Sequence, residues 1–269
     1  MKKAAFIFLI AAVIFSMFWF YYPFRSILMM SVYSAIHRQD SIMKQEGFSV
    51  EIPGGATTPG RDWFVMPMTY NADVFNGRHG SETDMSIIYN FPAFNPLTRT
   101  NSFYESDSGY CSAFYGAYIL RTDDETPYGF TKAGNPDTSE VLAAFKYDYA
   151  VLVLESLGCT DAMFEVIDYE TGLAAYIGYD GWTVMDAHLL TNSVSHSYVE
   201  SKRSYLQFGR PLDDPPEDFP VMEMNGRLYI RYFPEFGCTV AMYIVAPDKD
   251  VLEKCDNELL GKSMLKIKR

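Results

Sequence analysis

No HExxH, GxGxxG, GxxxxGK[ST], GxSxG or CxxC occurs in the 269 residues of this chain. The first four omissions exclude a zincin helix, two glycine loops that cradle phosphates, and the elbow that presents a nucleophilic serine. The last excludes a thioredoxin-like pair and the usual zinc-ribbon spacing. Histidine is scarce, at positions 37, 79, 188 and 196, too few for a multi-histidine metal centre to assemble readily. No metal and no cofactor is therefore expected. Basic residues are in deficit too. The 22 Lys and Arg stand against 34 Asp and Glu, for a net charge of −12. A chain of that sign repels phosphate backbones, so nucleic acid is not an expected partner, and a basic protein is the complementary one.

What the chain has in quantity is apolar and aromatic surface. Hydrophobic residues make up 48% and aromatics 16%, with 20 Tyr and 20 Phe. That composition excludes a disordered chain and favours strands, because flat rings pack well on a pleated surface. The longest apolar run comes first. Lys2 and Lys3 precede AAFIFLIAAVIFSMFWFYYPF, residues 4–24, in which Ser16 is the one ordinary polar residue. As a helix, this run reaches roughly 30 Å, the thickness of a hydrocarbon core. Trp19, Tyr21 and Tyr22 crowd its far end, where amphipathic rings prefer the headgroup level. The sequence thus predicts a transmembrane signal-anchor over 1–24, with the two lysines cytoplasmic and the remainder of the chain extracytoplasmic at a cell membrane. The competing expectation is a secreted protein whose leader is cleaved. Against that, the run is long for a leader and no small-x-small site follows it promptly.

Residues 25–46 read as an amphipathic stalk or surface helix. Leu28, Met29, Val32, Ile36 and Met43 recur near helical spacing, and Gly47 supplies a stop. From 47 to 269 the pattern predicts a single α+β domain with a mainly antiparallel sheet and a few helices. Strands are expected over 48–53, 63–70, 85–91, 111–121, 164–170, 176–190, 205–209 and 239–246. Asn225-Gly226 between 219–224 and 227–233 reads as a tight hairpin turn, since both residues tolerate positive φ. Asp137, with Glu140 three residues on, predicts a capped helix over 138–147. Pro247-Asp248 opens a last helix with Val251, Leu252, Cys255 and Leu259 on one face, stopped by Gly261.

The candidate functional residues are few. Cys111, Cys159, Cys238 and Cys255 permit up to two disulfides outside the cytoplasm, although Cys255 on an apolar helix face fits a buried thiol. Asp213 and Asp214 lie in a proline-stiffened acidic loop that is a candidate binding surface but lacks calcium-loop spacing. Trp63, Trp182, Tyr104 and Tyr110 are the candidate aromatic binding residues, set against the ordinary role of rings in a core. The stretch DAHLLTNSVSHSY, 186–198, alone gathers Asp, His and Ser. In a strand, Asp186 and His188 share a face, and the carboxylate would orient the imidazole as a general base. Ser193 is the nearby candidate nucleophile. Triads are assembled by geometry rather than proximity in sequence, so a polar pair at a strand end is the plainer expectation. Two functions follow: an extracytoplasmic module that binds another protein, or a membrane-tethered hydrolase using Asp186 and His188.

Overall fold

The computed structural model describes residues 2–20, 32, 35–53, 64–70, 82–89, 103–105, 112–147, 149–150, 162–192 and 221–267. The chain is α+β, built mainly of antiparallel sheet with a few helices. Helix α1 (Lys2–Phe20) is followed by a short α2 (Ile42–Gln45). The strands are β1 (Phe48–Glu51), β2 (Phe64–Tyr70), β3 (Thr83–Tyr89), β4 (Phe103–Glu105) and β5 (Ser112–Thr122), and then, after α3 (Thr138–Lys146), β6 (Phe164–Tyr176), β7 (Tyr179–Asn192), β8 (Val221–Phe233) and β9 (Cys238–Ala246). Helix α4 (Lys249–Glu258) and β10 (Met264–Ile267) close the order.

The large sheet runs β2-β3-β5-β9-β8-β7-β6, with β4 also paired to β5, and β1 pairs separately with β10. Every described strand pairing is antiparallel. Strand β9, CTVAMYIVA, is buried at every position because it lies mid-sheet with helices over both faces. On one face, Phe145 of α3 packs against Tyr243 of β9 and Phe164 of β6. On the other, Val251, Leu252 and Cys255 of α4 are buried, and α2 contributes Ile42, whose N–H donates to Ser86 Oγ of β3 at 3.0 Å.

The helix starts follow from the sequence. Asp137 Oδ1 accepts from the N–H groups of Ser139 (3.1 Å) and Glu140 (3.2 Å), so the predicted cap of α3 is made. Glu140 itself turns away from the capping box and accepts from Gly129 N–H at 2.6 Å, tying the preceding loop to the helix. Gly47, at φ 74, ends α2.

Two expectations are corrected. The stretch leading to Gly47 is not one continuous helix: a 3-10 turn, Arg38–Asp40, intervenes, and Ser41 caps a separate α2. Ile42 and Met43 of that helix are buried in the domain core. Asn225-Gly226 is not a turn. Both residues lie inside β8, opposite His188 and Ala187 of β7 on one side and Ala246 and Val245 of β9 on the other. Glycine is required there by close packing, because an added Cβ would stand 2.8 Å from Leu189 Cδ1. A two-residue hairpin turn is made instead by Ile177-Gly178, between β6 and β7, with both residues at positive φ (43 and 85) as a type I′ turn demands.

At the N-terminus, α1 carries exposed Phe6, Ile7, Phe8 and Phe15. Among the described residues no helix is long and apolar enough to cross a membrane. The apolar part of α1 covers residues 4–20, about 25 Å at helical rise and short of a hydrocarbon core. Residues 21–24, which complete the predicted run, lie outside the described residues.

Candidate functional site

Strand β7 carries Asp186 and His188 and alternates as expected. Thr183, Met185, Ala187, Leu189 and Thr191 are buried, while Asp186 and His188 project from the opposite face and are exposed. The two do share a face. They do not partner each other. Each is claimed by a residue directly across the sheet, where opposed side chains stand closer than residues two apart on one strand. Asp186 faces Arg227 of β8, and His188 faces Asp168 of β6.

Arg227 is the hub of the site. Its Nε and Nη2 donate to the two oxygens of Asp186, at 2.6 and 3.2 Å. Its Nη2 and Nη1 donate to Glu253 at 2.8 and 3.0 Å, and Nη1 also reaches Asp256 Oδ2 at 3.2 Å. Asp256 further accepts from the hydroxyls of Tyr176 (2.6 Å) and Tyr229 (2.5 Å), whose rings are stacked 3.6 Å apart. Burial of Arg227 pulls its pKa down, but its hydrogen bonds to Asp186 and Glu253 more than offset this, so it is a permanent cation. Burial, and then the Asp256 carboxylate, push both phenols well above the ordinary tyrosine value. They are neutral donors and not acid–base groups at neutral pH. The network fastens α4 to the outer face of β7 and β8.

Beside this clamp the surface opens into a groove of about 420 Å³ between Asp168 and Glu170 on β6, Asp186 and His188 on β7, and Lys249 and Leu252 on α4. His188 Nδ1 lies 3.5 Å from Asp168 Oδ1, with the side chains 66% and 70% exposed. At that distance and exposure the pair holds neither group firmly. Glu170, opposite Asp186, has no ion-pair partner among the described residues. The groove lining thus sets Asp168, Glu170 and Asp186 against His188, Arg227 and Lys249, and the loosely held carboxylates are the two on β6. Its chemistry suits reception of basic side chains. An activated nucleophile is not evident among the described residues of this groove, and Ser193 lies outside them.

The other candidates are dispersed. Trp182 is fully buried, edge-on to Tyr176 and Phe233 at 5.8 Å each, so it is core and not a binding platform. Tyr104 stands opposite Ala113 in the β4–β5 pairing, and its side chain lies outside the described residues. Trp63, Tyr110, Asp213, Asp214, Cys111 and Cys159 also lie outside them. Cys238 and Cys255 are buried free thiols. Among the described residues, no group of three or more His, Cys, Asp and Glu is placed to hold a metal ion.

The sequence did not single out Asp168, Glu170, Glu253 or Asp256. One signal was available: Asp256 follows Cys255 on the apolar side of α4, and an acid on a buried helix face calls for a buried partner. No family model, no curated protein and no solved structure matches this chain.

Proposed function

We propose that the protein is a membrane-anchored extracytoplasmic module that binds another protein through its acidic groove, the partner presenting basic residues. The carrying observation is the pair of outward carboxylates, Asp168 and Glu170, on the β6 side of one open groove, Asp168 only weakly held by His188 and Glu170 without an ion pair among the described residues. The net charge of −12 adds long-range attraction for a basic partner. The anchor rests on the apolar run that begins in α1 and continues in the sequence to Phe24, preceded by Lys2 and Lys3. A helix apolar on all sides, with exposed Phe6, Phe8 and Phe15, needs lipid or protein around it.

The test is co-purification from membranes through an affinity tag after Arg269, with chemical cross-linking before extraction. A basic protein recovered in stoichiometric amount, and lost when Asp168 and Glu170 are both changed to Lys, supports the reading. Recovery of the chain alone under gentle extraction overturns it. A reporter active only outside the cytoplasm, fused after Arg269, is expected to be active, with the chain retained in membranes after carbonate washing. A shortened, released form would replace the anchor with a cleaved leader and make the protein secreted. The tethered-hydrolase reading draws less support, because Asp186 is engaged by Arg227 and His188 is mostly in solvent.

A further inference from the structure

Strand β6 is the last strand of the large sheet, and among the described residues nothing pairs with its outer side. It is unusually long for an edge, running from Phe164 to Tyr176. Folded proteins blunt such edges with bulges, charges or short length, because an edge presents a row of unpaired N–H and C=O groups. Here the irregularities fall at the two ends, between Val166 and Asp168 and between Ala174 and Tyr176. Between them, Asp168 to Ala174 pairs with β7 in unbroken register. Every second residue of that stretch turns its backbone polar groups away from β7, so it offers roughly three or four residues for a further ladder.

The two faces of this stretch differ in chemistry. Asp168 and Glu170 lie on the face of His188 and Asp186, over the groove. Tyr169 and Leu173 lie on the face of Ala187 and Thr183, and they are 44% and 81% exposed. Leu173, exposed near the end of the regular stretch, is the reverse of edge protection. The carboxylates do discriminate, since like charges directly opposite destabilise a strand pair and opposite charges stabilise it. An incoming strand of alternating basic and apolar residues would set its cations against Asp168 and Glu170 and its apolar side chains against Tyr169 and Leu173. A second copy of this chain, at net charge −12, brings the wrong sign.

We propose that the β6 edge from Asp168 to Ala174 is a strand-addition site for an extended protein segment that alternates basic and apolar residues. This rests on the binding reading above and specifies how the partner is held: backbone hydrogen bonds supply affinity, and the alternating side chains supply selectivity.

The experiment uses the full chain in detergent micelles and short, end-capped fluorescent peptides. The parent peptide alternates lysine and valine. A second alternates glutamate and valine, and two analogues of the parent are N-methylated on one or the other set of alternate amides. Binding is read by fluorescence anisotropy at low and high salt. The lysine peptide should bind and the glutamate peptide should not. One methylated analogue should lose binding while the other keeps most of it, because only one set of amides faces the edge. Asp168→Lys/Glu170→Lys should weaken the lysine peptide by roughly 10-fold, from two pairs turned repulsive, and should gain the glutamate peptide. That gain excludes misfolding as the cause. Leu173→Lys, at an exposed position, should weaken the lysine peptide without changing the melting temperature.

Equal binding of the two methylated analogues would reduce the effect to unspecific charge attraction and overturn the proposal. So would self-association of the full chain that Leu173→Lys dissolves, which would assign the edge to a second copy. If a basic partner is recovered from membranes yet cross-links away from β6, strand addition falls while the binding reading stands. If the peptides bind as expected and no partner is recovered, strand addition stands and the binding reading falls.

Discussion

Arg227 Nη1 stands 3.2 Å from Asp256 Oδ2, with the two side chains only 12% and 9% exposed. Around this pair Asp186 and Glu253 are about half exposed, so their contribution is screened and small. The energetic weight falls on Asp256, a buried carboxylate that depends on one cation and two phenols. Arg227→Met removes the cation and keeps the volume, and is expected to destabilise the fold by about 3 kcal/mol. Arg227→Met/Asp256→Asn, which also removes the stranded charge, should recover some of that loss. Denaturant titration of both variants checks it. A loss under about 1 kcal/mol for Arg227→Met would mean the clamp is a surface feature.

His188→Ala is expected to cost about 0.5 kcal/mol or less, since the ring is mostly in solvent and its carboxylate partner is equally exposed. The variant should fold, localise and bind as the parent does, apart from a small change in groove affinity. Should the protein prove to have a turnover that vanishes in folded His188→Ala, the side chain would be catalytic.

Gly226 is expected to be intolerant of a side chain for reasons of space. Gly226→Ala places a methyl group 2.8 Å from Leu189 Cδ1, and overpacking of this kind costs roughly 1–3 kcal/mol. Leu189→Val, which withdraws the obstructing group, should make the second substitution cheaper than in the parent. A double-mutant cycle by thermal unfolding measures the coupling. Strict additivity would mean that the two residues are not in contact.

Alkaline titration should separate the buried acids from the exposed ones. Burial pushes Cys238 from 9.0 up to about 12, with Glu46 and Glu235 adding to the rise and Arg121 opposing it. Burial likewise lifts Tyr149, and burial together with Asp256 lifts Tyr176 and Tyr229. In each case the folded value lies above the unfolded one, so the folded state holds its proton longer. The associated stability is complete below about pH 9 and declines as pH rises from there, first through the thiol and then through the phenols. Near-ultraviolet phenolate absorbance should show Tyr149, Tyr176 and Tyr229 ionising only with cooperative loss of tertiary structure. Reversible titration of all of them before unfolding would contradict this burial.

The alternation in β1 and β7 and the Asp137 cap were legible in the sequence because each is local: a period of two, or an oxygen placed two or three residues ahead of the N–H it meets. That Asp186 and His188 share a face was legible for the same reason. Their partners were not, because Arg227 is separated from Asp186 by 41 positions and is brought opposite only by strand register. Asn225-Gly226 misleads because glycine serves two needs, positive φ and absence of a side chain, and the sequence does not say which applies. Ile177-Gly178 escapes notice for the opposite reason: isoleucine has no preference for positive φ and is held there by the hairpin it closes. The brief strand β10, largely exposed, carries little pattern of its own and becomes a strand by pairing with β1.

That last pairing decides how the domain would respond to force. Phe48 lies opposite Ile267 and Glu51 opposite Met264, so the start of β1 and the end of β10 stand one strand spacing apart, about 5 Å. A pull on the far end of the chain would load this two-stranded ribbon from its open end, whereas a pull on the N-terminal helix meets α2 first, which is buried and bonded to β3. The pairs would separate in succession, as in a zipper, rather than resisting together in shear. Under a pull on that end, strand β10 would peel away first, taking with it the Lys266–Glu51 ion pair, before the large sheet carrying the groove and the Arg227 clamp is loaded from that side. The ribbon is thus a mechanical fuse on the β10 side of the domain, separate from the large sheet.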